Sequence, residues 1–510
     1  MRMDEPGNAD HNKTADVCFV LEGTYPYVPG GVSSWVHQII SGLPQLTFAL
    51  AIIMPKKDAS RKFKYDVPRN VISMREIYLH EPGLPDTKAD KLDNKSWDHL
   101  LEFHKTPDSD EKVCLYGKLF KNFFDENTRK IAPALLQNSE KAWSMFTKLY
   151  KEEAPKASFL DYFWSVRFIH QPLFKVLTAE LPQARIYHPV STGYAGLWAT
   201  TAKMRWNKPV ILTEHGIYTR ERRFEIARAD WIYEQSGNEA RITSSQSRFR
   251  DMWNKMFALQ SYLTYAHADE IITLHEKNQN YQIEDGAPRN RLKIIPNGVD
   301  VKTLRTLKNR SEGDHPDFVV GFMGRVVSIK DVKTLIRACK TASARIPELK
   351  VLIMGPTEEE PQYYKECLKL TEVLGMEKII TYTGKISTLD YYPKIDLLAL
   401  TSISEAQPLV ILEANSLGIP CIATDVGACR ELLHGREGED SALGQSGIIT
   451  GVTNAKAIAE AIITIYKSPG LRRKMGEAGK KRVARYYDID ALLEEYLNLY
   501  GNYLQLAAVA

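Results

Sequence analysis

The sequence predicts an α/β protein built from two doubly wound parallel-sheet domains. Three observations predict this class. Apolar runs of strand length alternate with amphipathic helical segments in both halves of the chain. The 510 residues are 44% hydrophobic and 25% charged, which suits two to four soluble domains. The alternation restarts after the charged stretch from Lys302 to Asp317, where we place a domain boundary.

Composition excludes several classes of protein. A net charge of +4 is too small to argue for a nucleic-acid partner, although it permits contact with an acidic membrane face. The six cysteines show no C-x-x-C spacing, which indicates free thiols in a reducing compartment. No signal peptide and no apolar run of about twenty residues is present, so we expect a cytoplasmic protein without a transmembrane segment.

The first domain opens with a buried strand, Asp16 to Leu21, a loop that ends in Gly30 and Gly31, and a helix from Val32 to Ile40. Paired glycines let a ligand approach the backbone and leave N–H groups pointing at it. Taken alone, the pair is equally consistent with a plain tight turn. A second strand follows at Phe48 to Met54.

From about residue 55 to residue 160 the strand–helix rhythm breaks, and we predict a large, mostly helical insertion in the first domain. The rhythm returns with strands at Arg185 to Val190 and Pro209 to Thr213. His215 follows the second of these directly. A lone histidine after a strand is more often structural, but this one lies at a carboxyl end, where parallel sheets bind ligands.

The second domain is organised around the stretch from Leu397 to Ala423. An apolar strand leads into a polar turn, and Pro408 stands where a helix would begin. Glu405 lies in the turn and Glu413 inside the helix. The helix start offers free N–H groups to an anion, and the second acid can reach neutral hydroxyls such as those of a ribose. The alternative is one loop acid and one solvated helix acid.

A second loop of this domain, after the strand Asp317 to Met323, carries Arg325 and Lys330. Arginine grips phosphate with a fork and lysine acts as a point charge, so the two could hold a diphosphate without a metal ion. The alternative is a solvated loop rim. We find no D-x-D-type pair, no zinc-type cluster, no ATP-binding P-loop and no G-x-S-x-G elbow.

These motifs together carry a resemblance. Gly30–Gly31, His215, Gly324-Arg325…Lys330 and Glu405-x7-Glu413 stand in the order and spacing of family 4 retaining glycosyltransferases of the GT-B fold. The runs Phe19 to Val36 and Thr213 to Arg223 are most similar to the PelF group, which acts in Pel exopolysaccharide synthesis. The resemblance implies Rossmann-like domains at residues 1–305 and 306–485 with a cleft between them, and a helix at 486–510 that packs on the first domain.

The resemblance also implies a role for each position. Arg325 and Lys330 would bind the donor diphosphate, and Gly30–Gly31 would approach it. Glu413 would hold the nucleotide ribose. Glu405 and His215 would contact the donor sugar, which with the two cations makes the catalytic set. The rest of the donor would lie along Ala406, Gln407, Pro408 and Leu409, with Lys385 and Ile386 near the base.

The implied function is metal-independent transfer of a hexose, UDP-glucose being the expected donor, to a growing Pel-type exopolysaccharide with retention of configuration. No cofactor is expected beyond the UDP-sugar. The partners would be inner-membrane Pel synthase subunits, with recruitment to the inner face of the membrane. Two alternatives stay open: a nucleotide-sugar epimerase on the same plan, and a nucleotide-sugar-binding scaffold or sensor of a membrane synthase.

One departure from the family pattern bears on the donor. After Glu405 this chain reads Ala406-Gln407-Pro408, where many members have glycine, phenylalanine and glycine. A glutamine side chain forms hydrogen bonds that phenylalanine cannot form, and proline removes one backbone donor. The choice of donor sugar therefore stays open.

Overall fold

The computed structural model describes residues 13–58, 60–81, 94–128, 133–155, 158–228, 239–307, 316–436 and 441–509. The chain divides into two compact units. Unit 1 comprises Met1–Thr273, Gln279–Lys293 and Tyr496–Ala510, and unit 2 comprises Leu274–Asn278 and Ile294–Glu495. Part of the charged stretch that was expected to link the domains, residues 308–315, lies outside the described residues.

Unit 1 is built on parallel strands that are mostly buried. Its first sheet has the order β3-β2-β1-β4 and its second the order β5-β6-β7, and a parallel bridge from Tyr187 to Val210 joins them. The strands are β1 (Ala15–Glu22), β2 (Phe48–Met54), β3 (Val71–Tyr78), β4 (Ala184–Pro189), β5 (Ile211–Glu214), β6 (Glu270–Thr273) and β7 (Leu292–Ile294). β1 and β2 are contiguous apolar runs because neighbouring elements cover both of their faces.

Ten helices within the described residues lie wholly or mostly in unit 1. They are α1 (Gly31–Gly42), α2 (Asn94–Lys105), α3 (Asp110–Leu119), α4 (Leu135–Asn138), α5 (Glu140–Glu153), α6 (Phe159–Thr178), α7 (Tyr194–Trp206), α8 (Tyr218–Arg228), α9 (Glu239–His267) and α10 (Glu276–Glu284). A π-helical turn, Phe120–Phe124, follows α3. We call the helices α2 to α6 the helical insertion.

The stretch after β2 differs from the sequence expectation. The insertion was expected to begin near residue 55, but Val71–Tyr78 forms β3, which pairs in parallel with β2. Every residue of β3 is only partly buried, because the strand lies at the edge of its sheet. Its sequence, VISMREIY, therefore lacks the apolar run that marks the central strands.

The end of the chain packs within unit 1. α19 (Ile489–Val509) places Tyr500 against β4, where its hydroxyl lies 2.7 Å from Nδ1 of His188. Nε2 of the same imidazole lies 2.8 Å from the hydroxyl of Thr213. His188 is fully buried, and the loss of hydration, aided by the charge of His215, lowers its pKa to about 3.

The buried histidine makes unit 1 sensitive to acid. Because the folded pKa of His188 lies below the usual value of about 6.5, the unfolded chain binds more protons between about pH 6.5 and pH 3. The free energy of unfolding should therefore decrease as the pH decreases through that window, by up to about 1.4 kcal/mol per pH unit from this residue. We expect His188→Gln to flatten the decline of the melting temperature from pH 6.5 to pH 4.5. The exposed His80→Gln should retain the wild-type slope, and equal slopes for both variants would contradict this account.

Unit 2 contains one six-stranded parallel sheet. Its strands are β8 (Phe318–Met323), β9 (Leu349–Met354), β10 (Ile380–Gly384), β11 (Leu397–Leu400), β12 (Cys421–Thr424) and β13 (Gly447–Thr450). Its helices are α11 (Val301–Arg305), α12 (Val332–Ser343), α13 (Pro361–Val373), α14 (Thr388–Tyr391), α15 (Leu409–Ser416), α16 (Cys429–His434), α17 (Ala455–Lys467) and α18 (Pro469–Tyr486), followed by the first part of α19.

The strand order of unit 2 places a ligand crevice between two particular strands. The order β10-β9-β8-β11-β12-β13 reverses its direction of growth between β8 and β11. A crevice opens at the carboxyl ends of the strands at such a switch point, because the connections on its two sides lead to opposite faces of the sheet. The loops that follow β8 and β11 are those that carry Lys330 and Glu405.

None of the helices in the described part of the chain combines the length and the apolar composition that a membrane-spanning helix needs.

Candidate functional site

The loops at the switch point of unit 2 are bonded to one another. The N–H of Ile403, after β11, donates to the carbonyl of Ile329, after β8, at 2.8 Å. The hydroxyl of Thr401 donates to the carbonyls of Lys330 and Asp331 at 3.0 and 3.1 Å. These bonds join residues about 70 positions apart, and they fix both loops at one end of the sheet.

Lys330 and Glu405 form an ion pair at the centre of this arrangement. The ammonium nitrogen of Lys330 lies 2.5 Å from Oε1 of Glu405, and the hydroxyl of Ser402 donates to the same oxygen at 2.6 Å. The side chains of Lys330 and Glu405 are only 19% and 12% exposed. The structure thus brings together the predicted cation and the predicted loop acid, in direct contact.

The segment from Glu405 to Leu409 leads from this ion pair to the start of α15. Pro408 is the residue before the helix, and its carbonyl accepts from the N–H of Ile411 at 3.1 Å. The N-terminal end of a helix presents N–H groups and a partial positive charge. The cation of Lys330 and a helix N-terminus therefore belong to the same loop cluster, an arrangement suited to an anion.

Gly427, after β12, packs closely against the backbone of Glu405 and Ala406. Its φ is +51°, and a Cβ atom at this position would lie 2.2 Å from the carbonyl oxygen of Glu405 and 2.3 Å from that of Ala406. The adjacent N–H of Ala428 donates to the Ala406 carbonyl at 2.8 Å. Only glycine allows the two backbones to approach this closely.

We expect Gly427→Ala to destabilise the site loop. Left-handed backbone costs a non-glycine residue roughly 1–2 kcal/mol, and the clash with Glu405 and Ala406 adds about 1–3 kcal/mol. Gly375→Ala is the matched control, since Gly375 has φ +65° and no atom within 4 Å of the added Cβ. Thermal melting should show the larger loss for Gly427→Ala, with faster amide exchange at residues 401–408. Equal losses would show that backbone strain alone matters.

Gln407 stands where many members of the resembled family have phenylalanine, and its side chain has a structural role here. Its side chain is buried, and Oε1 accepts from the N–H of Asn297 at 2.6 Å, which ties the site loop to the turn that follows β7. No partner for Nε2 is present among the residues described. The glutamine thus anchors the loop through its oxygen and keeps an amide donor available inside the site.

Arg325 lies on the same loop as Lys330 but in a different environment. Its Nη1 lies 2.5 and 2.6 Å from the two carboxylate oxygens of Glu359, after β9. Both side chains are about half exposed. An ion pair in water contributes little, so an incoming anion can compete for this arginine at low cost.

Glu413 lies on α15, where it is partly buried, and among the described residues no cation pairs with it. The hydroxyl of Tyr392 donates a hydrogen bond to its Oε2. Burial raises the pKa of Glu413, an effect that the bond from Tyr392 partly offsets. The structure therefore shows a partly buried acid held by Tyr392 rather than a fully solvated helix acid. Of the two positions expected near a base, Lys385 is exposed and Ile386 packs against the core, both directly after β10.

In unit 1, Gly30 and Gly31 form the start of α1 and are exposed. A Cβ atom added to either would meet no atom within 4 Å. The φ of Gly30 is 170°, which any residue adopts. Packing and backbone geometry therefore do not require glycine here, whereas close approach of a ligand to the helix N-terminus would.

His215 follows β5 and is buried against α1. Its ring lies edge-on to Trp35, with 4.7 Å between ring centroids. Burial lowers the pKa of His215 to about 4, so the imidazole is neutral at physiological pH. A neutral imidazole suits hydrogen bonding to sugar hydroxyls better than pairing with an anion.

Two carboxyl groups of unit 1 were missed by the sequence analysis. Glu214, the residue before His215, accepts from Tyr265 Oη at 2.7 Å, from the N–H of Tyr218 at 3.0 Å and from Gln282 Nε2 at 3.0 Å. It therefore holds the turn that carries His215. Glu22 ends β1 and accepts from the hydroxyl of Tyr218 at 3.3 Å. Burial raises the pKa of both carboxyls.

The position of these acids was a usable signal. Each is the last residue of a buried apolar strand, where a charged side chain needs a specific reason to be present. Within the described ranges, no group of three or more His, Cys, Asp or Glu could hold a metal ion.

Two family models match the chain. Residues 15–290, more than half of the chain, match the model described as Domain of unknown function (DUF3492). Residues 305–482 match the model described as Glycosyl transferases group 1. The second match contains the whole switch-point cluster, from Arg325 to Gly427.

Curated relatives and solved structures are also similar to the chain. A D-inositol 3-phosphate glycosyltransferase of Pseudarthrobacter chlorophenolicus is 29% identical over 39% of this chain and 47% of its own length. The capsular polysaccharide biosynthesis glycosyltransferase CapM of Staphylococcus aureus is 26% identical over 47% of this chain and 63% of its own length. The chain thus spans about half to two thirds of the length of these relatives.

Among solved structures, Anabaena HepE in complex with UDP aligns over 96% of this chain and 100% of its own, with a TM-score of 0.58 at 15% identity. Sucrose-phosphate synthase from Thermosynechococcus elongatus aligns over 97% and 100%, with a TM-score of 0.59 at 16% identity. These likenesses show the fold, and the predicted GT-B architecture with two Rossmann-like domains is confirmed.

Proposed function

Because the chain belongs to the DUF3492 family and joins that domain to a domain of the glycosyl transferases group 1, we propose that it is a glycosyltransferase that uses a UDP-sugar donor. The transferred group is a hexose, and its anomeric configuration is retained. One observation carries the proposal: the Lys330–Glu405 ion pair lies at the switch point of unit 2, in the loop cluster that ends at the N-terminus of α15.

The proposed donor site follows from the charges of that cluster. Lys330 and the first N–H groups of α15 hold the diphosphate, and Arg325 leaves Glu359 to join them. Glu413 accepts from the ribose hydroxyls, and the base lies near Lys385 and Ile386. In this arrangement Glu405 exchanges its bond with Lys330 for hydroxyl groups of the donor sugar.

The same groups support departure of the nucleotide. The bond between the anomeric carbon and the β-phosphate oxygen breaks, and its electron pair leaves with UDP. Lys330, Arg325 and the helix N-terminus stabilise the charge that develops there. The acceptor hydroxyl attacks the same face of the sugar, and its proton passes to the departing phosphate oxygen. Glu405 is not proposed as a nucleophile, because its proposed partners in the donor complex are hydroxyl groups of the sugar, with Ser402 donating to its Oε1.

We propose that no metal ion takes part. Two cationic side chains and a helix N-terminus supply the positive charge that a bound divalent ion would otherwise supply. EDTA should therefore leave turnover unchanged, and loss of turnover that Mg²⁺ or Mn²⁺ restores would contradict this part of the proposal.

The donor and acceptor are proposed from similarity. HepE has been crystallised with UDP and with UDP-glucose, and CapM is named for capsular polysaccharide biosynthesis. Together with the resemblance to the PelF group, these support UDP-glucose as donor and a Pel-type exopolysaccharide as acceptor. His215 would contact the transferred sugar, and Gly30–Gly31 would approach the diphosphate of the donor. The protein would work in the cytoplasm beside inner-membrane synthase subunits.

The proposal is tested by incubating the purified chain with UDP-glucose, UDP-galactose or UDP-N-acetylglucosamine, with and without membranes as a source of acceptor. We expect release of UDP from UDP-glucose and an α-linked product in its NMR spectrum. Isomerisation of the donor without an acceptor would identify an epimerase. Tight UDP binding without transfer, even with membranes, would identify a sensor or scaffold.

The exposed Arg325–Glu359 pair gives a separate prediction. If Arg325 must leave Glu359 to bind the diphosphate, Glu359→Gln should tighten UDP binding about two- to five-fold, the range that an exposed ion pair spans. Arg325→Ala should weaken binding about ten-fold. Calorimetric titration measures both. The control is Glu460→Gln, which removes the carboxylate beside Arg345 on another exposed surface of unit 2. Identical affinities for wild type and both site variants would remove Arg325 from the donor site.

A further inference from the structure

The helical insertion of unit 1 contains a large cavity that the proposed transfer reaction does not use. It has a volume of about 940 Å³, is partly open, and lies among α2 to α6 and the neighbouring part of α9. This volume is at the upper end of the range found for small-molecule sites, about 300–1,000 Å³. Apolar side chains make up most of its wall, for example Phe103, Phe146 and Leu259, and charged side chains such as Arg167 and Lys255 also line it.

A partly open cavity of this size with a largely apolar wall is suited to an apolar occupant. An unfilled cavity destabilises the fold in proportion to its volume, because the lining atoms lose their dispersion contacts. Water does not fill such a space well when the wall offers few hydrogen bonds, whereas an apolar molecule does. The natural occupant is therefore mostly hydrocarbon.

Three ionisable side chains of the wall, two histidines and a lysine, are neutral or paired. His104 and His170 lie with 5.7 Å between ring centroids, and burial lowers the pKa of both, that of His104 to about 3. Both imidazoles are therefore neutral at physiological pH. Lys112 is held by Asp108 at 3.2 Å. The part of the wall around these three side chains therefore favours an uncharged part of a ligand.

One polar group in the wall does point to a ligand. Gln260, on α9, is 2% exposed, and neither its Nε2 nor its Oε1 has a hydrogen-bond partner in the described part of the structure. A buried amide without partners is costly, so native proteins seldom contain one. An ester or hydroxyl group of a bound molecule would satisfy it.

The outer face of the same helices is also apolar. Leu160, Trp164 and Phe168 follow one another at intervals of four residues on α6 and are 62%, 47% and 61% exposed. This spacing puts them on one stripe of the helix. Trp143, which is half exposed, belongs at the same time to the cavity wall. Exposed aromatic and aliphatic side chains on a helix are typical of contact with the surface of a bilayer.

We propose that the helical insertion binds a lipid. Its hydrocarbon chain, acyl or isoprenoid, fills the cavity, and an ester or hydroxyl group near its head bonds to the amide of Gln260. The stripe of α6 touches the bilayer surface from which the lipid is taken. This inference does not depend on the proposed function, because binding is measured without any sugar donor.

The first test titrates the full-length protein with 11-(dansylamino)undecanoic acid, whose fluorescence rises in apolar surroundings, and with dansylglycine, which lacks the chain. We expect saturable one-to-one binding of the first only. Competition by oleic acid or by geranylgeraniol then distinguishes an acyl from an isoprenoid ligand. Absence of saturable binding for all three chain-bearing compounds would overturn the proposal.

Two variants place the binding in the cavity. Ala258→Trp introduces a bulky side chain into the wall and should weaken binding at least ten-fold, while Ala227→Trp, at an exposed position of α8, should leave it unchanged. Gln260→Leu should weaken monoolein about three- to ten-fold but not hexadecane, and should raise the melting temperature of the empty protein. Equal binding by wild type and Ala258→Trp, with all variants folded by thermal melting, would exclude the cavity.

The role of the stripe has its own readout. Trp164→Ser should slow the transfer of a fluorescent lipid from phosphatidylcholine vesicles to the protein several-fold, without changing the affinity for the soluble dansyl compound. Val373→Ser, at an exposed apolar position of unit 2, is the control. Unchanged transfer in Trp164→Ser would exclude the stripe as the contact with the bilayer.

Discussion

Lys330→Ala is expected to lower turnover about 100- to 1,000-fold, the usual effect of removing one group that stabilises charge in the transition state. Affinity for UDP should fall about ten-fold or more, because a charge-assisted hydrogen bond to phosphate is lost. Steady-state kinetics with UDP-glucose and calorimetric titration with UDP measure the two effects.

Controls separate charge from folding. Lys333→Ala changes a lysine three positions away that pairs with Glu366 on the surface of unit 2, and it should behave as wild type. Lys330→Arg keeps the charge and should retain part of the activity. Since Lys330→Ala leaves Glu405 without its cation, the melting temperature must be measured too. A stable variant with full UDP affinity and full turnover would refute the assigned role.

Glu405→Gln is expected to weaken the use of UDP-glucose but not the binding of UDP, unlike Lys330→Ala, which should weaken both. Loss of the carboxylate removes the proposed contact with the sugar hydroxyls, so kcat/KM for UDP-glucose should fall about 10- to 150-fold, as expected for a hydrogen bond to a charged group. UDP alone lacks the transferred hexose, and in the variant Lys330 no longer has a competing carboxylate. Its affinity should therefore stay the same or rise.

The comparison with Lys330→Ala makes this prediction specific. A purely structural role for the Lys330–Glu405 pair predicts that both variants lose UDP binding and stability together. The proposed roles predict that only Lys330→Ala loses UDP binding. Glu366→Gln, which removes the acid of the control pair, should change neither quantity. Loss of UDP affinity in a stably folded Glu405→Gln variant would contradict the proposed sugar contact.

The sequence predicts the central strands well, because a strand that is buried on both faces consists mostly of apolar residues. β2, β8, β11 and the centre of β1, Val17 to Leu21, are covered on both faces and appear as uninterrupted apolar runs. β3 was missed for the converse reason. As an edge strand it is only partly buried along its whole length, and Ser73, Arg75 and Glu76 interrupt its apolar residues, so that it resembles a surface segment.

The candidate site is predicted only in part. Lys330 and Glu405 could each be recognised from their position after a strand, but their contact depends on the strand order, which places β8 beside β11. Local sequence does not encode that neighbour. Glu214 was missed because its partners, Tyr265 and Gln282, lie 51 and 68 residues away. The cavity of the helical insertion likewise depends on how six helices pack.

The most direct measurement is a structure of the protein with UDP bound in the presence of EDTA. The account predicts that phosphate oxygens lie within hydrogen-bond distance of the Lys330 ammonium group and of the N–H groups of Leu409 and Val410, with the ribose at Glu413. A nucleotide bound elsewhere, with Lys330 still paired to Glu405 and the start of α15 unoccupied, would contradict it.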